Sequence, residues 1–289
     1  MNLKKIALGL MSNHFRDRIK ISRLDFKKKP PILVFQMGKV GSTSIYQTLS
    51  SLNLDRPIYH VHFLSEPGIR SAKIWHQQHE GLIPYGIKYF ELVGKKVKKN
   101  LSKTRWTIIS GVREPIAKEI SMYFELANKV NHGLVNQENK LDPEKIKEYF
   151  LHRFDQFDLN ENKMLTTNWF DQELNGVFGI DVFRHPFDKE KGYSIIRNKN
   201  VDLLIYQYEK LNQIFNESLN EFLPSIKAVE LKRSNVGSDK WYRETYKKVR
   251  ESIVIPDEIL QKAYSVKYVK HFYTSEMIKD FKAQWGSVR

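Results

Sequence analysis

A loop rich in glycine and hydroxyl side chains follows an apolar segment near the start of the chain. The segment Ile32–Phe35 runs into Gln-Met-Gly-Lys-Val-Gly-Ser-Thr-Ser, after which apolar residues recur at helical spacing. This order predicts a buried strand, a tight turn and a helix N-terminus, which presents unpaired backbone N–H groups and a partial positive charge. Lys39 adds a full charge. The loop therefore predicts a phosphate or sulfate site formed by Lys39, Val40, Gly41, Ser42, Thr43 and Ser44.

The order of residues in this loop differs from that of a Walker A loop. Lys39 precedes the second glycine, and Val40 stands where a hydroxyl residue would bind magnesium. The apolar segment that ends at Ser110 brings no aspartate of the Walker B type. Without magnesium ligands, transfer of the terminal phosphoryl group of a triphosphate has little support. We therefore expect an anion other than Mg-ATP and no metal.

A second strand–turn–helix pattern extends from Ile108 to Tyr123. Arg113 lies at the end of the apolar segment, and Ser121 lies eight residues further on, about two helical turns away. A guanidinium fork and a hydroxyl group suit a terminal phosphate, which has several acceptor oxygens. The alternative is an arginine that caps a neighbouring loop and a serine on the surface of a helix.

Together the two motifs resemble the sulfotransferase superfamily that uses 3′-phosphoadenosine 5′-phosphosulfate (PAPS) as its donor. In that superfamily a Lys-x-Gly-Thr/Ser-Thr loop holds the 5′-phosphosulfate, and a later Arg with a Ser eight residues on holds the 3′-phosphate. The matching residues here are Lys39 to Thr43 and the pair Arg113 and Ser121. The resemblance implies transfer of a sulfuryl group from PAPS to a hydroxyl of a carbohydrate acceptor.

The C-terminal third looks like a bacterial branch of this superfamily, the capsular polysaccharide synthesis proteins. This likeness is carried by Trp169-Phe-Asp-Gln-Glu-Leu, Gly179-Ile-Asp-Val-Phe, His185-Pro-Phe-Asp and Asn235-Val-Gly-Ser-Asp-Lys-Trp-Tyr242. It implies a capsular or surface polysaccharide as the acceptor. A late basic loop often completes the 3′-phosphate site in sulfotransferases, so the resemblance extends donor binding to Lys232 and Arg233. A solvated basic turn is the alternative for these two residues.

Sulfuryl transfer needs a cation beside the bridging oxygen of the donor and a base for the acceptor hydroxyl. Lys39 is the candidate for the first role. His60 and His62 share one face of the second predicted strand, and His62 is the candidate base because it lies nearer the carboxyl end. Glu66 is the substitute candidate. The His76, His79 and Glu80 group is interpreted as exposed helix polarity.

Composition restricts the class of partner. The 289 residues include 48 Lys and Arg against 33 Asp and Glu, a formal charge of +15, which favours anionic ligands. Because the chain has no cysteine, disulfides, zinc–thiolate sites and cysteine nucleophiles are excluded. The described motifs and the lack of an apolar run near ~20 residues lead us to expect a cytoplasmic protein. Contact of a membrane surface with the basic N-terminal segment stays open.

The patterns predict an α/β fold with a P-loop-like, mainly parallel central sheet, helices on both faces and a helical insertion between Pro115 and Phe178. Residues 1–29 are expected to form a basic extension and residues 30–289 a single domain. Acceptor-binding loops are expected within residues 129–175. Strand-like runs are Ile32–Phe35, Ile58–Phe63, Trp106–Ser110, Tyr193–Ile196, Leu203–Tyr206 and Lys227–Leu231.

Two other functions compete with sulfuryl transfer. One is a nucleotide kinase with an atypical P-loop, which would turn over ATP with magnesium. The other is a non-catalytic basic protein that binds nucleic acid or anionic lipid, with steeply salt-dependent binding that survives loss of Lys39. The sequence has no helix-turn-helix, zinc-finger or aromatic RNA-binding motif, so no nucleic acid partner is expected. The identity of the acceptor and the oligomeric state stay open.

Overall fold

One five-stranded sheet organises the chain. The structure, a computed structural model, describes residues 21, 24–126, 141–155, 168–226, 229–232 and 241–287. The strands have the spatial order β2-β1-β3-β5-β4, in which β4 is antiparallel to β5 and every other pairing is parallel. They are β1 (Ile32–Phe35), β2 (Ile58–Val61), β3 (Trp106–Val112), β4 (Tyr193–Arg197) and β5 (Val201–Gln207).

The described residues form eleven α-helices. They are α1 (Ser42–Ser51), α2 (Glu66–Glu80), α3 (Tyr85–Asn100), α4 (Pro115–Leu126), α5 (Pro143–Asp155), α6 (Gly176–Phe178), α7 (Leu211–Phe222), α8 (Arg243–Ser252), α9 (Asp257–Ser265), α10 (Lys267–Phe272) and α11 (Ser275–Gly286). A π-helix, Phe170–Asn175, precedes α6, and short 3₁₀ turns lie at Val182–Arg184 and Tyr208–Lys210.

Helices cover both faces of the sheet, as the sequence predicts. Alternate residues of β1 enter two separate cores: Leu33 and Phe35 pack with α3, α4 and the C-terminal helices, whereas Ile32 and Val34 pack with α1 and α7. Every residue of β3 is buried, which explains its nearly continuous apolar sequence. The α/β prediction and the mainly parallel sheet are confirmed.

Several predicted elements need adjustment. The run Lys227–Leu231 forms no strand over its described residues 229–231, because the chain there follows the surface of α1 instead of joining the sheet. Within the predicted helical insertion, Phe170–Asn175 is a π-helix. The described part of the segment from Pro115 to Phe178 is helical, in agreement with the predicted insertion.

The sheet has a topological switch point at β1. From β1 the chain crosses to β2 on one side, whereas β3 pairs with β1 on the other side. Ligands of such sheets bind beyond the carboxyl ends of the strands, in the crevice where the connections diverge. The loop after β1 and Arg113 after β3 both lie at this edge. None of the helices in the described ranges is long and apolar enough to cross a membrane.

Candidate functional site

A continuous cavity of about 1470 Å³ lies at the switch point. The loop after β1, the start of α4 and the face of α8 line one part of it. Residues of α2, α3 and the segment around Trp169 line another part. The cavity brings together Lys39, Gly41, Ser42, Thr43, Ser44, His62, Arg113 and Ser121, all of which the sequence analysis singled out.

The loop after β1 adopts a left-handed turn that its sequence permits. Lys39 has a φ of 68° and Gly41 a φ of 85°. At Gly41 a Cβ atom would also lie 2.7 Å from Leu211 Cδ2, so glycine is required for both conformation and space. Lys39 holds its conformation despite its Cβ, at a cost of about 1 kcal/mol, and such strain is concentrated at functional sites.

Tyr206 of β5 supports this loop from beneath. Its hydroxyl lies 2.7 Å from the carbonyl of Val40 and 2.8 Å from the side-chain amide of Gln36. The Gln36 atom at this distance is Oε1, an acceptor, so the single hydroxyl proton is directed at the two acceptor oxygens, the Val40 carbonyl and Gln36 Oε1. The ring crosses Gly111 of β3, where a Cβ would lie 2.5 Å from Tyr206 Cζ. Val40 is fully buried, so it contributes backbone support to the loop.

Arg113 connects the two sequence motifs. Its Nη1 donates to the carbonyl of Lys39 at 2.8 Å, and its guanidinium lies 4.4 Å from the centre of the Tyr208 ring. Tyr268 of α10 fixes the backbone, since its hydroxyl accepts from Arg113 N and donates to Arg113 O, each at 3.0 Å. The arginine is therefore held in the cavity wall by its backbone and its side chain.

The helix N-termini of both sequence motifs line the cavity, and of these two α4 has a carboxylate in place. At α4 the buried Glu114 carboxylate accepts from Ile116 N and Ala117 N, both at 2.7 Å, which satisfies the first turn. At α1 no side chain caps the first turn, which carries no acidic residue. The open N-terminus lies beside Lys39, so an anion is better matched to α1 than to α4.

Lys39 reaches across the cavity to α4. Its Nζ lies 3.2 Å from Glu125 Oε2, and the same oxygen accepts from the hydroxyl of Tyr242 at 3.2 Å. The Lys39 side chain is 17% exposed. Glu125 and Ser121 are one turn apart on α4 and both line the cavity. Among the described residues the lysine is paired with Glu125, in a partly desolvated position.

His62 is placed as a base of defined tautomer. Its Nδ1 lies 2.7 Å from the carbonyl of Gln36, which can only accept, so the neutral ring keeps its lone pair on Nε2. Burial lowers the pKa of His62 below 6.5, and the positive charge of Lys118 lowers it further. At neutral pH the imidazole is uncharged and able to accept a proton.

The other two candidates for the base lie elsewhere. His60 does not line the cavity; its ring stacks on Tyr46, and burial lowers its pKa to about 3. Glu66 is exposed at the start of α2, where it pairs with Arg70 at 3.2 Å. The structure therefore brings only His62 of these three residues into the cavity.

Of the residues predicted to bind the donor, the basic pair Lys232 and Arg233 has the least support. Lys232 donates its backbone N–H to Thr48 Oγ1 at 2.9 Å, but its side chain is exposed and does not line the cavity. Arg233 lies outside the described residues. Donor binding by these two residues stays a prediction.

Three cationic residues of α8 line the cavity without having been predicted. Arg243, Lys247 and Arg250 follow one another at intervals of four and three residues, which places them on one helix face. The sequence shows this spacing, but it does not show that α8 lies beside the switch point. These side chains add positive charge near Lys39 and Arg113.

Glu209 supplies a second unpredicted contact at the cavity. One carboxylate oxygen accepts from Glu114 N at 2.7 Å and the other from the hydroxyl of Tyr273 at 3.2 Å. The residue keeps exposed surface, yet the carboxyl group itself is packed among protein atoms, and this desolvation raises its pKa to about 7. Among the described residues no group of three or more His, Asp or Glu side chains is arranged to hold a metal ion.

The part of the chain that matches a family model reaches into this cavity. Residues 150–274 match the model of a family described as "putative capsular polysaccharide synthesis protein". This segment contributes Tyr242 beside Glu125 and Tyr268 behind Arg113. It also contributes Trp169, whose Nε1 donates to the carbonyl of His62 at 2.9 Å. No curated protein and no solved structure matches the chain.

Proposed function

We propose that the protein transfers a sulfuryl group from PAPS to a hydroxyl of a carbohydrate acceptor, within a P-loop-like α/β fold. The observation that carries the proposal is the meeting of the two anion motifs in one cavity, through the 2.8 Å hydrogen bond from Arg113 to the carbonyl of Lys39. A donor with a phosphosulfate at one end and a phosphate at the other needs two cationic groups in one cleft. The match of residues 150–274 supports a glycan as the acceptor.

The open N-terminus of α1 suits the 5′-phosphosulfate. Its first-turn amides have no side-chain cap, and hydroxyl groups of Ser42, Thr43 and Ser44 surround them. Gly41 permits the left-handed turn that precedes these amides. We assign the 3′-phosphate to Arg113 and Ser121, because both line the cavity and only Nη1 of the guanidinium is used by the carbonyl of Lys39.

Lys39 and His62 take the two chemical roles. In the reaction a bond forms between the acceptor oxygen and sulfur while the bond from sulfur to the bridging oxygen breaks, and adenosine 3′,5′-bisphosphate leaves. The Lys39 ammonium stabilises negative charge on the bridging oxygen. His62 Nε2 takes the hydroxyl proton, since its Nδ1 proton is held by Gln36. Burial, with a smaller contribution from the positive charge of Lys118, lowers the pKa of His62 and favours the neutral ring before the reaction.

Calorimetric titration without metal tests the ligand class. We expect adenosine 3′,5′-bisphosphate to bind at least tenfold more tightly than ATP, and radiolabelled PAPS to transfer label to a polysaccharide extract. Magnesium-dependent turnover of ATP would instead establish the nucleotide kinase. Binding that weakens steeply with salt but is unchanged by Lys39→Ala would identify a general polyanion binder.

A further inference from the structure

The cavity extends beyond its cationic end into a region lined by aromatic side chains. The lining residues there include Trp75 and His76 of α2, Phe90 of α3 and Phe63 of the loop between β2 and α2. The total volume of about 1470 Å³ exceeds the 300–1,000 Å³ that is usual for a single ligand. The cavity therefore has room for a second ligand beside an anion bound by Lys39 and Arg113.

His76 and Glu80 form an oriented pair at this end, which corrects their interpretation as exposed helix polarity. The two side chains are only 15% and 17% exposed, and His76 Nδ1 is hydrogen-bonded to Glu80 Oε1. His76 lines the cavity, whereas Glu80 does not. Because His76 Nδ1 is hydrogen-bonded to Glu80, Nε2 is the ring nitrogen that remains for a ligand in the cavity, and it suits a ligand hydroxyl.

Trp75 presents an aromatic ring next to this histidine. His79 stacks on the indole with ring centres 4.6 Å apart and an angle of 16° between planes, and His79 itself does not line the cavity. The stack holds the indole from outside while part of the ring stays in the cavity wall. The His76 and Trp75 rings are nearly perpendicular, with ring centres 4.9 Å apart, so the polar and apolar groups are adjacent.

We propose that Trp75 and His76 form a sugar-binding subsite for the acceptor, and this inference rests on the proposed function. A pyranose ring offers an apolar C–H face and several hydroxyl groups. The indole suits the apolar C–H face. His76 Nε2 and the polar side chains of Ser71 and Gln172, which also line the cavity, suit the hydroxyl groups. A phenolic acceptor would use the aromatic rings but leave these polar groups without partners.

The subsite leads to the candidate base. The His62 ring packs edge-on against Phe90 with centres 5.6 Å apart, and Phe90 lines the aromatic end. A sugar on Trp75 would thus be neighboured by Phe90 and then by His62. The sequence analysis expected acceptor binding within residues 129–175. Of the described part of that range, Asn168, Trp169, Gln172 and Glu173 line the cavity, while α2 and α3 supply the aromatic wall.

Saturation-transfer NMR with a panel of methyl glycosides tests the subsite in the presence of adenosine 3′,5′-bisphosphate. We expect transfer to at least one glycoside and an affinity about tenfold lower in Trp75→Ala, as for loss of an aromatic contact. Trp241→Ala is the matched control, because Trp241 is 58% exposed and does not line the cavity. His76→Gln should also weaken the glycoside while leaving bisphosphate binding within twofold of wild type.

The outcomes separate the two proposals. Three results would overturn the subsite. They are equal glycoside binding by wild type and Trp75→Ala, no glycoside binding by the wild type, and binding of N-acetyltyrosinamide in place of a glycoside. Calorimetry with adenosine 3′,5′-bisphosphate is independent of Trp75. Glycoside binding through Trp75 without bisphosphate binding would uphold the subsite and refute sulfuryl transfer from PAPS.

Discussion

The Arg113 guanidinium donates a 2.8 Å hydrogen bond from Nη1 to the backbone carbonyl of Lys39. Two motifs that lie far apart in the chain are thereby parts of one cavity wall. The bond has two consequences for function. It aims the remaining donors of Arg113 at the cavity beside the loop, and it makes the loop conformation dependent on Arg113. The predictions below separate these consequences from each other and from general effects on folding.

Removal of the Lys39 charge should abolish most turnover without unfolding the protein. We expect Lys39→Ala to lower kcat by about 10²–10³-fold, the usual effect of losing one group that stabilises developing charge. Lys39→Gly is the matched variant, because the φ of 68° suits glycine better than a residue with a Cβ. Lys39→Gly should be about 1 kcal/mol more stable than Lys39→Ala and equally inactive. Denaturant titrations and kcat measurements on both variants check this. Substantial activity in Lys39→Gly would show that the loop shape, and not the ammonium, matters.

Removal of the Glu125 charge should strengthen anion binding. Lys39 Nζ lies 3.2 Å from Glu125 Oε2, so an anion that binds Lys39 competes with this carboxylate. A partly exposed ion pair is worth up to about 1 kcal/mol, so Glu125→Gln should bind pyrophosphate about threefold more tightly. Calorimetry at constant ionic strength measures the change. Glu144→Gln, on the exposed surface of α5, is the control for the loss of one negative charge. Equal gains in pyrophosphate affinity in both variants would mean that the effect comes only from the change in net charge.

The pH profile should report His62. Burial keeps the pKa of this imidazole below 6.5, so the ring is neutral and able to accept a proton above that pH and becomes protonated only below it. We expect kcat/KM to fall at acid pH with a midpoint below pH 6.5 and to reach a plateau at higher pH on this limb. His62→Asn should lose most activity and also lose the acid limb. If kcat/KM of that variant still falls at low pH as in the wild type, the acid limb belongs to another titrating group.

The buried Glu114 carboxylate should be essential to stability. It accepts from Ile116 N, Ala117 N, Tyr264 Oη and Trp285 Nε1, so both of its oxygens face donors. In Glu114→Gln an amide N–H₂ group must face at least one of these donors. The resulting unpaired buried groups should cost about 2–3 kcal/mol in the free energy of unfolding. Chemical denaturation measures this cost, and a variant as stable as wild type would mean that the network rearranges.

The sequence allowed the motifs to be located but not the groups that hold them. Strand, turn and helix order around Lys39 and Arg113 follows from local patterns, and the strand-switch rule then predicts that both face one crevice. Tyr206, Tyr268 and Trp169 support the site through contacts over many residues of sequence, and an aromatic residue in an apolar run gives no sign of such a contact. Burial changed the interpretation of His76 and Glu80, since their spacing on α2 is equally compatible with an exposed face.

Adenosine 3′,5′-bisphosphate and adenosine 5′-monophosphate together provide the most direct test of the claim that the loop and Arg113 hold opposite ends of one donor. The two nucleotides differ only in the 3′-phosphate. Because Arg113 also supports the loop, Arg113→Ala should weaken both nucleotides to different extents. Calorimetry should show a loss of about 10–100-fold for the bisphosphate, which loses a charged contact, and of no more than about threefold for the monophosphate. Equal losses for both nucleotides would mean that Arg113 only supports the Lys39 carbonyl, and would contradict the assignment of the 3′-phosphate.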